Sequence, residues 1–142
     1  MCLKDFILGN RKTARRADEI LTAVLVPRVV ENAASCFLKL GARRYLVISI
    51  AMVAAIVQTD GSGRVTDARI AVGSCSAVAR RLHALESELI GIELRKNPGK
   101  LVRREHLAPL SPIDDVRATA AYRMDATLLL VQRALNMCGS AA

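Results

Sequence analysis

Four cysteines, two histidines, a carboxylate pair and a glycine-rich turn are the groups best able to carry chemistry here, and their spacing limits each. Cys2, Cys36, Cys75 and Cys138 are scattered, with no two at CxxC spacing. A local zinc or iron–sulfur chelate needs thiolates a few residues apart. The four therefore read as reduced, small buried hydrophobes of a cytoplasmic protein that bind no metal. His83 and His106 are far apart in sequence, and with no carboxylate or cysteine partner assigned they read as surface or core-edge residues. Asp114 and Asp115 suit the positive end of a helix dipole better than acid–base work. Gly61-Ser-Gly63 looks like a phosphate loop only superficially, because it sits between two strand-like runs and no helix follows it. Arg43-Arg44 could hold an anion, or simply be solvated. No autonomous catalytic constellation is present.

Composition narrows the class. The chain has 142 residues, 52% hydrophobic and 24% charged, which suits one folded domain and argues against disorder. The net charge is +8. A basic surface can bind nucleic acid, or can face a partner subunit or an anionic cofactor. Aromatics make up only 3% of the chain, too few for base-stacking platforms, and no helix-turn-helix pattern stands out, so nucleic-acid binding is disfavoured. The longest apolar run, Tyr45 to Val57, falls short of the roughly 20 residues of a membrane span.

The elements that must position these groups follow from periodicity. Glu19–Pro27 and Ser35–Leu40 read as short strands, and Arg28–Ala34 as a connector. Val47–Gln58 and Val65–Val72 flank Asp60-Gly-Ser-Gly63, the signature of a β-hairpin. Val78–Ile90 switches to helical spacing through Leu82, Leu85 and Leu89, and Gly91 stands where a left-handed C-cap would. Leu101–Leu107 suits one or two helical turns. Ser111-Pro-Ile-Asp-Asp115 suits a helix start, with Val116–Met137 as the helix. Its expected buried stripe is Val116, Ala120, Met124, Leu128, Val131 and Leu135, with Arg117, Arg123 and Arg133 off it. Leu128→Ala is then expected to cost about 2–5 kcal/mol. Strands followed by helices predict an α+β fold: an antiparallel sheet of three or four strands with helices packed on one face.

Three stretches resemble the FAD-binding (medium) subunit of the molybdenum hydroxylases, the xanthine dehydrogenase and carbon monoxide dehydrogenase family. The first is Asp5-Phe-Ile-Leu-Gly-Asn-Arg-Lys-Thr13 with Asp18-Glu-Ile-Leu-Thr-Ala-Val-Leu-Val-Pro27, similar to the last hairpin of that family's middle flavin domain. The second runs from Phe37-Leu-Lys-Leu-Gly-Ala-Arg-Arg44 through Val47–Ala54, Val65–Gly73 and Ala84–Gly91. The third is Ser111-Pro-Ile-Asp-Asp-Val-Arg-Ala-Thr-Ala-Ala-Tyr-Arg123 and its helix. Together they cover nearly the whole chain in the family's order.

The resemblance implies residues 1–27 as the partial end of a middle flavin domain and 28–142 as a carbon monoxide dehydrogenase flavoprotein C-terminal-like domain. It implies FAD as cofactor in the complete subunit, held mostly by N-terminal FAD domains that are missing here, with the isolated chain without it. The other implied partners are a molybdenum–pterin subunit and an iron–sulfur subunit, with no nucleic acid and no membrane. The positions matching the flavin-side segment are Lys39, Arg43, Arg44, Ile48, Ser49 and Ile50. The xanthine dehydrogenase branch carries Ile-Ala-Lys where this chain has Ile48-Ser49-Ile50, so charge tuning of a flavin by that position is put in doubt. Two other function classes stay open: a subunit-docking module that binds no flavin, and a basic nucleic-acid binder.

Overall fold

The computed structural model describes residues 1–26, 33–45 and 47–141. A four-stranded antiparallel sheet runs in the order β3 (Ala34–Leu40), β4 (Ala51–Thr59), β5 (Val65–Gly73) and β6 (Arg80–Arg81). Helices α2 (His83–Leu89) and α3 (Ala120–Ala141) pack on one of its faces. This is the α+β class that the order of periodicities predicts.

Period-two alternation builds the core. Leu38, Val53 and Val72 stand in one cross-strand row, Cys36, Ala55 and Ile70 in the next, and Ala34, Val57 and Ala68 in a third. In β4 and β5 these positions are buried, while their outward neighbours are wetter. The outer face carries Phe37, Ala54 and Ala71, with Phe37 exposed at 62%. The β4–β5 turn is fixed by Asp60, whose carboxylate accepts from the backbone N–H of Ser62 (2.9 Å) and of Arg64 (3.0 Å).

Several boundaries move, each for a physical reason. The expected strand at Glu19–Pro27 does not form over 20–26: no neighbour pairs with it among the described residues, and Ile20, Val24 and Leu25 lie exposed. Pro27 and most of the expected connector lie outside the described residues. A small hairpin forms earlier, β1 (Ile7–Gly9) with β2 (Lys12–Thr13), preceded by the single turn α1 (Leu3–Phe6). None of residues 1–26 is buried. The expected helix over Val78–Ile90 is shortened at its start because Arg80 and Arg81 pair with β5 as an edge strand. Its apolar face is as expected, with Leu82, Leu85 and Leu89 fully buried, and Gly91 takes a φ of 80° after it. Leu101–Leu107 resolves into two short 3-10 turns, Pro98–Leu101 and Arg104–Leu107.

The last helix starts at Ala120, not Val116. Thr119 caps it, accepting the Tyr122 N–H at 3.2 Å, and Asp114 accepts the Ala120 N–H. Its buried face is Arg123, Thr127, Val131, Ala134, Leu135, Cys138 and Gly139. The expected stripe is thus correct at Val131 and Leu135 and misplaced in the first turns: Met124 and Leu128 are half-buried, and Val116 lies outside the helix, fully exposed. Gly139 lets the helix meet the Leu94 carbonyl, where any Cβ would collide. Among the described residues, no helix is long and apolar enough to cross a membrane.

The histidines have partners that the sequence reading did not assign. Exposed His83 meets Glu86 through Nδ1 at 2.9 Å. Buried His106 accepts the Arg103 N–H at Nδ1 (3.0 Å) and reaches Glu88 through Nε2 (3.1 Å). That pairing assigns its proton to Nε2 and gives it a structural task, closing a 3-10 turn.

The cysteines differ sharply in surroundings. Cys2 is exposed, Cys36 half-buried, Cys75 and Cys138 buried. Burial, reinforced by the neighbouring Cys36 thiol, pushes Cys138 up to about 11. Alkylation requires the thiolate. Iodoacetamide at pH 8 should therefore modify Cys2 first and spare Cys138 until the chain is unfolded, as peptide mass mapping would read. Equal labelling rates at all four thiols would show a core that opens readily.

Candidate functional site

The six positions that the family resemblance singles out, Lys39, Arg43, Arg44, Ile48, Ser49 and Ile50, lie at one end of the sheet, in and beside the β3–β4 loop. The loop is drawn tight by three contacts. Gly41 packs against the Val47 side chain so closely that a Cβ there would collide with it. The Lys39 ammonium donates to the Val47 carbonyl at 2.9 Å. The Ile50 N–H donates to the Leu40 carbonyl at 2.8 Å, closing the strand pair. Lys39 is thus committed to holding the loop shut.

The remaining positions separate by depth. Arg43 and Arg44 are exposed, and the Arg44 guanidinium lies 5.3 Å from the Tyr45 ring centroid. Ile48 presents its side chain to solvent at 65% exposure, whereas Ser49 (9%) and Ile50 (6%) are sunk into the fold. The loop therefore exposes one apolar side chain, Ile48, together with the arginines Arg43 and Arg44. The Ser49 hydroxyl makes a weak contact, 3.8 Å to the Met52 sulfur.

Beneath the loop lies a buried polar bracket. Arg123, only 2% exposed, donates through Nη1 to the Ile50 carbonyl (2.6 Å) and the Ser74 carbonyl (3.3 Å). Its Nη2 reaches Asp115 Oδ1 at 2.7 Å. Ser74 sits at φ 66°, in the left-handed region, on the turn that ends β5. Asp115 also accepts the backbone N–H groups of Arg117 (2.8 Å) and Ala118 (3.3 Å). The Arg117 N–H above all, with Arg123 and Ala118, holds the Asp115 carboxyl below its ordinary range against the opposing effect of desolvation. Cys75 and Thr127 complete the bracket, 3.2 Å apart.

This arrangement holds a surface still; it contains no nucleophile–base pair. Among the described residues, no cluster of three or more His, Cys, Asp or Glu could hold a metal ion. The glycines of the β4–β5 turn are no phosphate cradle, since the N–H groups of Ser62 and Arg64 are already taken by Asp60.

A family model described as the CO dehydrogenase flavoprotein C-terminal domain matches residues 37–138. The chain belongs to that family.

Its relatives agree with the assignment. The nicotine 6-hydroxylase medium subunit of Paenarthrobacter nicotinovorans is 30% identical over 136 residues, covering 96% of this chain and 47% of the relative. The nicotinate dehydrogenase FAD-subunit of Eubacterium barkeri is 34% identical over 97 residues, covering 66% of this chain and 33% of the relative. A solved carbon monoxide dehydrogenase from Hydrogenophaga pseudoflava, one lacking the Mo-pyranopterin moiety of its molybdenum cofactor, superposes with a TM-score of 0.84 at 26% identity. It covers 96% of this chain and 47% of that one. The carbon monoxide dehydrogenase of Oligotropha carboxidovorans shares the fold, at TM-score 0.79 and 23% identity, covering 98% of this chain and 48% of that one. The chain thus spans half or less of the length of these relatives.

Arg123, expected off the buried stripe, is buried; Asp115, expected at the start of the helix, lies before it and holds Arg123; Ser74 carried no expectation. A signal for the first existed. Arg123 lies four residues before Thr127 and eight before Val131, on the same helical face. An arginine in that stripe, eight residues after an aspartate, is a candidate buried pair.

Proposed function

We propose that this chain is the C-terminal portion of the FAD-binding subunit of a molybdenum hydroxylase and forms one wall of the flavin site. The observation that carries the reading is Ile48, an exposed apolar tip on a loop pinned to the sheet, within a chain of the flavoprotein C-terminal family. An isoalloxazine ring is flat and largely apolar, and a wall against it needs such a surface held rigid. The loop suits the ring face and not the pyrophosphate, which needs backbone N–H groups gathered at a glycine-rich turn. FAD, when bound, supplies the redox centre that passes electrons from iron–sulfur clusters to an acceptor. This chain's part is to position it: Ile48 against the ring, Ser49 and Ile50 setting the height of that contact, Lys39 keeping the loop closed, and Arg43 and Arg44 lending positive charge to the ring's edge.

The reading includes its partners. Residues 1–26, with no buried side chain, are the edge of a preceding flavin domain, and a molybdenum–pterin subunit and an iron–sulfur subunit complete the enzyme. Ring contacts alone leave FAD weakly bound, because immobilising the ligand has its own entropic cost. Titrating FAD into the isolated chain, followed by flavin fluorescence, should show no submicromolar binding. Adding the N-terminal half of the related nicotine 6-hydroxylase medium subunit should restore it. Ile48→Asp, at an exposed position, should then weaken the restored binding on the order of tenfold. Tight FAD binding by the chain alone would refute the one-wall reading. No rescue by the added domains would favour a docking module without flavin.

A further inference from the structure

We infer that Arg123 is a positioning residue: through the Ile50 and Ser74 carbonyls it sets the backbone from which Ile48 and Ser49 meet the flavin. This inference rests on the one-wall reading. At the loop's β4 end, Ile50 is held on two sides. On the sheet side, the Ile50 N–H is paired with Leu40 as any strand neighbour would be. On the interior side, no backbone N–H among the described residues donates to the Ile50 carbonyl; the Arg123 guanidinium does so at 2.6 Å, with only the Cys75 thiol besides, at 3.9 Å. The same Nη1 also takes the carbonyl of Ser74, so the chain entering β4 and the chain leaving β5, side by side at the open end of the hairpin, are fixed to one nitrogen. Asp115, anchored by the N–H groups of Arg117 and Ala118, fixes the guanidinium in turn through Nη2. The stretch Asp115 to Arg123 in the third resembling segment thereby acts as a bracket under the candidate site, with Arg123 separated in sequence from Ile50 by 73 residues and from Ser74 by 49.

Stability alone does not account for this choice. A buried guanidinium carries a large desolvation cost, and an apolar side chain of similar volume often serves as well for folding. Arg123 Nε is buried without a partner, a further cost that a residue selected only for stability would avoid. What the planar fork adds is direction. It holds two carbonyls at fixed angles, which a flexible lysine or an apolar chain does less well.

The test compares Arg123→Met and Arg123→Lys with the parent chain. Amide hydrogen exchange by NMR, at Ile50 and Ala51, reads the loop without reference to flavin. In Arg123→Met those two amides should exchange on the order of ten- to a hundredfold faster, while the amides of Val53 and Val72 keep their protection. Arg123→Lys should recover part of the difference. In the complex reconstituted with the N-terminal half of the related medium subunit, Arg123→Met should release FAD about tenfold faster and alter the flavin's visible circular dichroism, with partial recovery in Arg123→Lys. If Arg123→Met fails to fold, the lysine variant carries the comparison. Unchanged exchange at Ile50 and Ala51 in a folded variant overturns the positioning role whatever the flavin does. Faster exchange with unaltered FAD release and spectrum keeps the loop anchor and overturns the one-wall reading instead.

Discussion

Glu86→Ala should lower the free energy of unfolding by about 3–4 kcal/mol. The reason is a gap in the sheet. β6 is only two residues long, and after Arg81 the chain turns into α2. Leu82 still donates to the Ile70 carbonyl at 3.0 Å, but no strand residue remains to accept the Ile70 N–H. Glu86, itself 7% exposed, accepts it at 2.7 Å and so continues the ladder with a side chain. Its carboxylate is held in turn by Arg81 Nη2 at 2.8 Å and by His83 Nδ1 at 2.9 Å. Arg81 is 40% exposed and His83 78%, so those ion pairs are partly wet and contribute modestly. Most of the loss comes from stranding the N–H of a fully buried Ile70. Glu86→Gln separates the two contributions, because its amide oxygen still accepts from Ile70. It should cost only about 1 kcal/mol in urea unfolding. Equal losses for the two variants would show that the charge, and not the ladder, matters.

The same comparison shows what the sequence could and could not disclose. Alternation from Val65 to Val72 around Asp60-Gly-Ser-Gly63 was enough for the hairpin, because a period of two leaves one register that buries the apolar face. The Leu82–Leu85–Leu89 face was equally legible. Glu86 in that helix was not, since a charged residue on a helix surface carries no sign of the buried N–H it will meet across sixteen residues. Glu19–Val26 misled for the converse reason. β-branched residues mark strand propensity, but a strand forms only where a neighbour pairs with it, and none does among the described residues. At the candidate site, family resemblance pointed to the loop residues, while the bracket beneath them depends on contacts such as Arg123 to Ile50, separated by 73 residues.

The misplaced half of the last helix's stripe gives the sharpest contrast. Apolar residues alone favour Met124 and Leu128, because the true face carries Arg123 and Thr127, which a hydrophobicity pattern discards. The two patterns meet only at Val131 and Leu135. Leu135 is fully buried, with the β-sheet beneath it and Gly139 one turn on, pressed against the Leu94 carbonyl. That close backbone contact leaves little room for the helix to sink into a vacated volume, and a site that cannot collapse retains its cavity. Leu135→Ala should therefore fall at the upper end of the range for buried leucines, about 4–5 kcal/mol. Leu128 is only half-buried at the margin of the core. Its truncation should cost about 1 kcal/mol, since water already reaches part of the side chain. Both variants would be measured by urea unfolding with a shared slope, so that differences in midpoint report stability. A loss at Leu128 as large as that at Leu135 would restore the stripe read from hydrophobicity alone, and with it a rotation of α3 that would carry Arg123 out of reach of the Ile50 carbonyl.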